Sequence, residues 1–243
     1  MIISVLTNYK PKISFSLYDL KCIFYIVIQF QSNKNLSIEN YKNLRTDNKT
    51  IKFLNPYPDE SFKKKTLVLD LDETLIHSAF SKTDKAPIIL QIPIENKFCS
   101  IYVQIRPGAK YFLEETSKIF EVVIFTASLS KYADPLIDQL DESNWWTYRL
   151  YREHWTTLNS MIFIKDLVFL DRDLKNVIII DNSPNSYAFQ QENALPISSW
   201  YGNSGKFTPT IALGVTDTSL YQLLPILHEL SKVDDVRTVI PKI

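Results

Sequence analysis

A chain of 243 residues with 45% apolar and 22% charged side chains is long enough for one well-buried α/β domain, and its composition is ordinary for a soluble globular protein. Lys plus Arg and Asp plus Glu balance at 27 each, which argues for neither nucleic-acid binding nor an acidic tail. The two cysteines, Cys22 and Cys99, lack metal-ligand spacing and fit a reduced intracellular compartment.

The apolar stretch from Cys22 to Phe30 is shorter than the roughly 20 residues that span a bilayer. It has neither the basic lead nor the small-residue cleavage site of a signal peptide. It reads as an element packed on the domain, with a membrane-proximal anchor as the other reading. A polar stretch over 31–59, rich in Asn, Lys and Ser, resembles a linker, so residues 1–60 are taken as an extension and 61–243 as the folded domain. Lys63-Lys64-Lys65 is a basic entry to the first strand rather than a nuclear signal. Three short aliphatic runs follow, Leu67-Val68-Leu69, Val122-Val123-Ile124-Phe125 and Val177-Ile178-Ile179-Ile180. Continuous apolar runs of this length suit strands buried on both faces of a parallel sheet. Residues 88–94 and 101–103 alternate as a hairpin turning at 95–97, a small β insertion over the site. Helical patterns occupy 109–119, 131–140 and 219–232. Strands alternating with helices predict a doubly wound parallel sheet, whose site forms at the carboxyl ends of the strands. Trp145-Trp146 is assigned to packing at the sheet edge, and His77, His154 and His228 are too scattered for a zinc site.

Each of the three runs delivers a polar residue to its end: Asp70, Thr126 and Asp181. Asp70 and Asp72 lie two residues apart where the first strand stops. Phosphoryl transfer needs a nucleophile, an acid for the leaving group and positive charge around the transferring group. Asp70 is placed to attack phosphorus and Asp72 to protonate the leaving oxygen, then to activate water. Clustered carboxylates repel one another and a phosphate dianion, so a hard cation such as Mg²⁺ is called for. Asp70, the backbone carbonyl of Asp72 and a side chain from Asp181-Asn182 are the expected ligands.

The run from Leu67 through Leu69-Asp70-Leu71-Asp72-Glu73-Thr74-Leu75 to Ser78 resembles the signature of the FCP/SCP-type phosphatases of the haloacid dehalogenase superfamily. These are the small C-terminal-domain phosphatases, related to Dullard. The likeness continues through Arg106-Pro107, residues 125–135, Tyr151-Arg152-Glu153, Lys165-Asp166-Leu167, Ile180-Asp181-Asn182-Ser183-Pro184 and 230–236. It implies a haloacid-dehalogenase-like fold with no large cap and Mg²⁺-dependent phosphoprotein (serine/threonine) phosphatase activity. It also implies Asp70 as nucleophile, Asp72 as acid/base and Thr126 on the phosphoryl oxygens. Lys165 would neutralise the transferring group, Asn182 would bind metal with Asp181 beside it, and Arg152 would be a phosphate neighbour or a structural ion pair. An apolar pocket for a proline near the phosphoserine would fall on Phe80, Ile92, Ile94, Ile101 and Leu129, with Tyr132 close by; core packing gives the same pattern. The implied substrate is a proline-containing phosphoserine segment such as the RNA polymerase II tail, and the implied compartment is the nucleus. The Dullard branch would instead act on a lipid-synthesis regulator at the nuclear envelope or endoplasmic reticulum.

Three features depart from that family. Ile105 stands where a lysine is usual, the stretch 154–164 is about one residue longer, and 202–216 adds roughly 11 residues. The second departure bears on the placement of Lys165. A small-molecule phosphatase and an inactive phospho-tail binding module are the competing functional readings. The first conflicts with the absence of a large cap segment, the second with the intact set Asp70, Asp72, Thr126, Lys165, Asp181 and Asn182.

Overall fold

The computed structural model describes residues 52–57, 63–83, 86–94, 97–141, 143–158, 162–202 and 217–242. The stretch Cys22 to Phe30, the residues 203–216 and most of the extension 1–60 lie outside the described residues. Among those that are described, no helix is long and apolar enough to cross a membrane.

Five parallel strands form the central sheet in the order β10 (Ala194–Pro196), β9 (Val177–Asp181), β1 (Lys65–Leu69), β5 (Phe120–Phe125) and β6 (Tyr148–Leu150). The three aliphatic runs of the sequence are its three central strands. Their side chains alternate between two cores: Leu67, Leu69, Val122, Ile124, Ile178 and Ile180 on one face, Val68, Val123, Phe125, Val177 and Ile179 on the other. Burial on both faces explains why these segments show no polar alternation. Helices α1 (Ala109–Ile119), α2 (Ser130–Leu140) and α3 (Ser219–Leu230) belong to the first face, within two residues of their expected bounds. Ahead of α1, Gly108 turns the chain at φ 81°, which favours glycine, and a Cβ there would also have to push aside the half-exposed Tyr221 ring, 2.5 Å away.

The second face carries no regular helix among the described residues. Short 3₁₀ turns at Leu167–Leu170 and Leu174–Asn176 cover it, and residues 52–57 add to it. Leu54 is 3% exposed in this core, the Phe53 amide donates to the Phe169 carbonyl (2.7 Å), and Arg172 donates to the Asn55 carbonyl (3.0 Å) while lying over the Tyr57 ring. Residues 52–57 are thus part of the folded unit, ahead of its expected start at 61. The polar composition around them hides the single anchor, Phe53-Leu54.

The predicted insertion is present as β3 (Ile88–Ile94) paired antiparallel with β4 (Lys97–Ile105). It has a third strand, β2 (Ile76–Ala79), on the other side of β4. In four residues, Ile76-His77-Ser78-Ala79 offers too short a pattern to read. The short edge strands β6 and β10 and the hairpin β7 (Thr156–Leu158) with β8 (Ile162–Ile164) escape sequence reading for the same reason. Trp146 is 8% exposed and packs in the first core, as expected of the Trp pair.

Candidate active site

Register builds the site. Leu69 pairs with Ile124 on one side and Ile180 on the other, so the residues that follow β1 and β5 and the last residue of β9 emerge side by side at one sheet edge. The Asp70 amide still donates to the Ile180 carbonyl (3.0 Å), which holds this residue to the ladder. Beyond it the chain turns tightly. The Leu75 amide returns to the Leu71 carbonyl at 2.9 Å, and Glu73 adopts φ 60°. That turn brings Asp72 back over the strand ends.

Both Asp70 oxygens are engaged. Lys165 Nζ donates to Oδ1 at 2.7 Å and the Thr74 hydroxyl to Oδ2 at 2.9 Å. Lys165 is fully buried and also donates to Asp181 Oδ2 at 2.6 Å, while Asp181 Oδ1 accepts the Ser183 amide at 2.7 Å. The ammonium lies 5.2 Å from the Trp155 ring centre and 5.8 Å from that of Phe125. The longer 154–164 stretch does not displace Lys165. Strands β7 and β8 pair across it, and the Lys165 amide is fixed to the Ser186 carbonyl (2.8 Å).

Asp72 is held separately. Ser128 Oγ donates to its Oδ2 at 2.8 Å, with Thr126 Oγ1 3.4 Å from the same atom, and the Tyr132 hydroxyl reaches Oδ1 at 3.3 Å. Thr126 also accepts the Ser128 amide (3.0 Å). Arg152 reaches the loop after β5: its Nε donates to the Ala127 carbonyl at 2.6 Å and its amide to the Ser128 carbonyl at 3.1 Å. Asn182 donates its amide to Ser199 Oγ at 2.9 Å.

The structure therefore gathers two adjacent hydrogen-bonded sets, Asp70 with Lys165 and Asp181, and Asp72 with Thr126, with Asn182 next in the chain after Asp181. Sequence reasoning gave no role to Thr74, Ser128 or Trp155. The first two have a local signal, a hydroxyl four residues after Asp70 and another two after Thr126. Trp155, whose indole N–H donates to the Thr126 carbonyl at 3.0 Å, has none. The apolar positions are scattered in accessibility. Ile101 is 6% exposed in the first core, Ile92 and Leu129 are partly buried, and Phe80 is 46% exposed. Ile101 thus belongs to the core; the side chain of Ile94 lies outside what is described.

Asp70 and Asp181 share the Lys165 ammonium, while Asp72 lies near the charges of Asp70 and Glu73. Burial first, then the charges of Glu73 and Asp70, push Asp72 up to about 7, against the pull of its Ser128 and Tyr132 hydrogen bonds. Burial, with Asp70 adding to it, raises Asp181 to about 6 although Lys165 opposes the shift. For Lys165, burial lowers the pKa, but Asp181 and Asp70 together outweigh it and leave it raised. A carboxyl whose folded pKa exceeds its unfolded value favours folding only while protonated. The penalty from Asp72 therefore grows from about pH 4, its unfolded value, and levels off above 7. Asp72→Asn is expected to raise the thermal midpoint of the metal-free protein, with a gain that widens from pH 5 to pH 8. A gain of equal size at both pH values would refute the assignment.

A five-stranded parallel sheet presenting two aspartates, a buried lysine and a strand-end hydroxyl at one edge, beneath a small antiparallel insertion, defines a haloacid-dehalogenase-like α/β protein. This chain belongs to the NLI interacting factor-like phosphatase family, whose sequence pattern matches residues 65–237. It is 46% identical over 176 residues to the Dictyostelium discoideum protein named "Probable C-terminal domain small phosphatase", covering 72% of this chain and 54% of that one. It is 42% identical over 174 residues to the human carboxy-terminal domain RNA polymerase II polypeptide A small phosphatase 1, covering 72% and 62%. The chain thus spans a little over half the length of these curated relatives. In fold it is similar to the solved structure of Fcp1, an RNA polymerase II CTD phosphatase, with TM-score 0.58 and 17% identity over 86% of this chain and 74% of that one.

Proposed function

We propose that this protein is a Mg²⁺-dependent phosphoprotein phosphatase that works through an aspartyl-phosphate on Asp70. One observation carries the reading: the Asp70 carboxylate is clamped through both oxygens by Lys165 and Thr74 at the sheet edge, with Asp72 held independently beside it. A nucleophile fixed in orientation meets the phosphoryl group without reorganisation.

An Asp70 oxygen attacks phosphorus and the bond from phosphorus to the serine oxygen breaks. Asp72 gives its proton to that leaving oxygen, and its raised pKa keeps the proton available near neutrality. Water then attacks the phosphoryl group, Asp72 accepts the water proton, and the Asp70–phosphorus bond breaks to release inorganic phosphate. Lys165 and the Thr126 hydroxyl offset charge on the transferring group, and Arg152 braces the loop that carries Thr126.

The site fits a hard cation. Its ligand atoms are oxygens, and its carboxylates outnumber its one ammonium, so an added positive charge offsets the repulsion among Asp70, Asp72 and Asp181 that adds to the effect of burial. Asp70, the Asp72 carbonyl and Asn182 would hold Mg²⁺, with Asp181 orienting them. The Asn182–Ser199 bond uses the amide NH₂ and leaves the carbonyl oxygen for the metal. Among the described residues no group of three or more His, Cys, Asp or Glu forms a ready cage. Bound Mg²⁺ supplies the positive charge that lets a phosphate dianion approach Asp70.

The names of the relatives support the RNA polymerase II tail as substrate and, with it, a nuclear location; the family resemblance adds a phosphoserine near proline. Phe80, Ile92, Leu129 and Tyr132 would receive the proline. The purified protein is expected to release phosphate from a phosphoserine-proline peptide with Mg²⁺ and to lose this with EDTA. It should favour that peptide over sugar phosphates. Preference for sugar phosphates would favour a small-molecule phosphatase, and tight peptide binding without turnover would favour a binding module.

A further inference from the structure

Asp72 accepts from three hydroxyls, and they are not equivalent. Ser128 and Thr126 both address Oδ2, from the loop that follows β5. Among the described residues Oδ1 accepts only from Tyr132, on α2. The Tyr132 hydroxyl in turn shares a hydrogen bond with Ser78 Oγ on β2, in which either atom can donate. The phenol therefore bridges the acid and the insertion sheet.

Counting protons gives this bridge a direction. A tyrosine hydroxyl has one hydrogen to give and lone pairs to accept with. When Asp72 is ionised, Tyr132 donates to Oδ1 and accepts from Ser78.

We propose that Tyr132, backed by Ser78, is a positioning residue for Asp72: it fixes the Oδ1 side of the carboxyl group and stabilises the carboxylate left when the acidic proton passes to the leaving oxygen. This rests on the reading of Asp72 as the general acid. It adds to the apolar role of Tyr132 near the substrate a polar role toward the acid, and it makes Ser78 part of the same unit.

Leaving groups separate this from a packing role. Protonation matters little when the departing oxygen is a stable anion and greatly when it is an alkoxide. Turnover should be measured on p-nitrophenyl phosphate, phenyl phosphate and a phosphoserine peptide for the parent and for Tyr132→Phe, Ser78→Ala and Asp72→Asn. Tyr132→Phe keeps the ring, and is expected to raise the ratio of the p-nitrophenyl to the phenyl phosphate rate by ~10-fold, with Asp72→Asn raising it by ~100-fold or more. Ser78→Ala should move the ratio the same way by a few-fold, and carries the test should Tyr132→Phe fail to fold. The two aryl substrates need no peptide pocket, so this ratio is blind to lost peptide binding. A uniform loss across leaving groups in both Tyr132→Phe and Ser78→Ala, beside a selective loss in Asp72→Asn, would overturn the proposal alone. A uniform loss in Asp72→Asn as well would overturn the reading of Asp72 as acid, and the proposal with it.

Discussion

Asp70→Asn is expected to lower phosphate release by at least ~10³-fold on every substrate, because the amide cannot form the acyl-phosphate bond on which both half-reactions depend. The change is nearly isosteric, and the amide oxygen can still accept from Lys165 or Thr74, so the fold should persist. Circular dichroism checks that point. Rapid denaturation of the parent protein during turnover of ³²P-labelled substrate should leave label on the peptide containing Asp70, and none on the variant. Turnover that survives Asp70→Asn would refute the mechanism outright.

The second large effect is one of stability. Lys165 is completely buried between Asp70 at 2.7 Å and Asp181 at 2.6 Å. Lys165→Met keeps much of the side-chain length but leaves those carboxylates facing each other with no counter-charge. Breaking a buried pair from one side costs about 3–5 kcal/mol, because the remaining charge is stranded. At roughly 2–4 °C per kcal/mol for a chain of this size, the midpoint of the metal-free protein should fall by about 6–20 °C. Phosphatase activity should fall by ~10²–10³-fold as positive charge is lost at the transferring group. Adding Asp181→Asn to Lys165→Met removes one stranded carboxylate and should restore part of the midpoint but not the activity. A midpoint within about 2 °C of the parent would show that the lysine is not a structural counter-charge.

Much of this site is legible in the sequence because the strands that carry it are buried on both faces. Continuous aliphatic runs such as Val177 to Ile180 leave little doubt about where a strand stops, and the chemistry sits at the stop. Lys165 is the instructive contrast. It follows no long run, its approach hairpin β7–β8 has three-residue strands, and nothing local marks it off from a surface lysine. Only the likeness to a family pointed to it, yet it is the most buried charge in the group. The pocket positions show the opposite error: alternating apolar residues in a hairpin mark a buried face and cannot say which of them stay accessible. Ile101 went to the core while Phe80 stayed exposed. The Asp72 clamp has no sequence signal because its partners come from the loop after β5 and from α2, with Ser78 of β2 behind Tyr132, and only the packed fold brings those together.

The residues that flank the stretch 203–216 are tied to the end of β4 and to the residue just after it. Gly202 sits against the side chain of Gln104, which is 4% exposed, and Asp217 takes a two-pronged ion pair from Arg106, at 3.1 and 3.0 Å. Arg106 also donates to the Thr74 carbonyl at 3.0 Å, so the exit point is tied to the turn that carries Asp72. Once both feet of a loop are fixed, lengthening the span between them is entropically inexpensive, about 0.6 kcal/mol for each doubling. Roughly 11 added residues can therefore be tolerated here with the catalytic geometry unchanged. Arg106→Ala would release Asp217 and loosen its tie to the turn that carries Asp72.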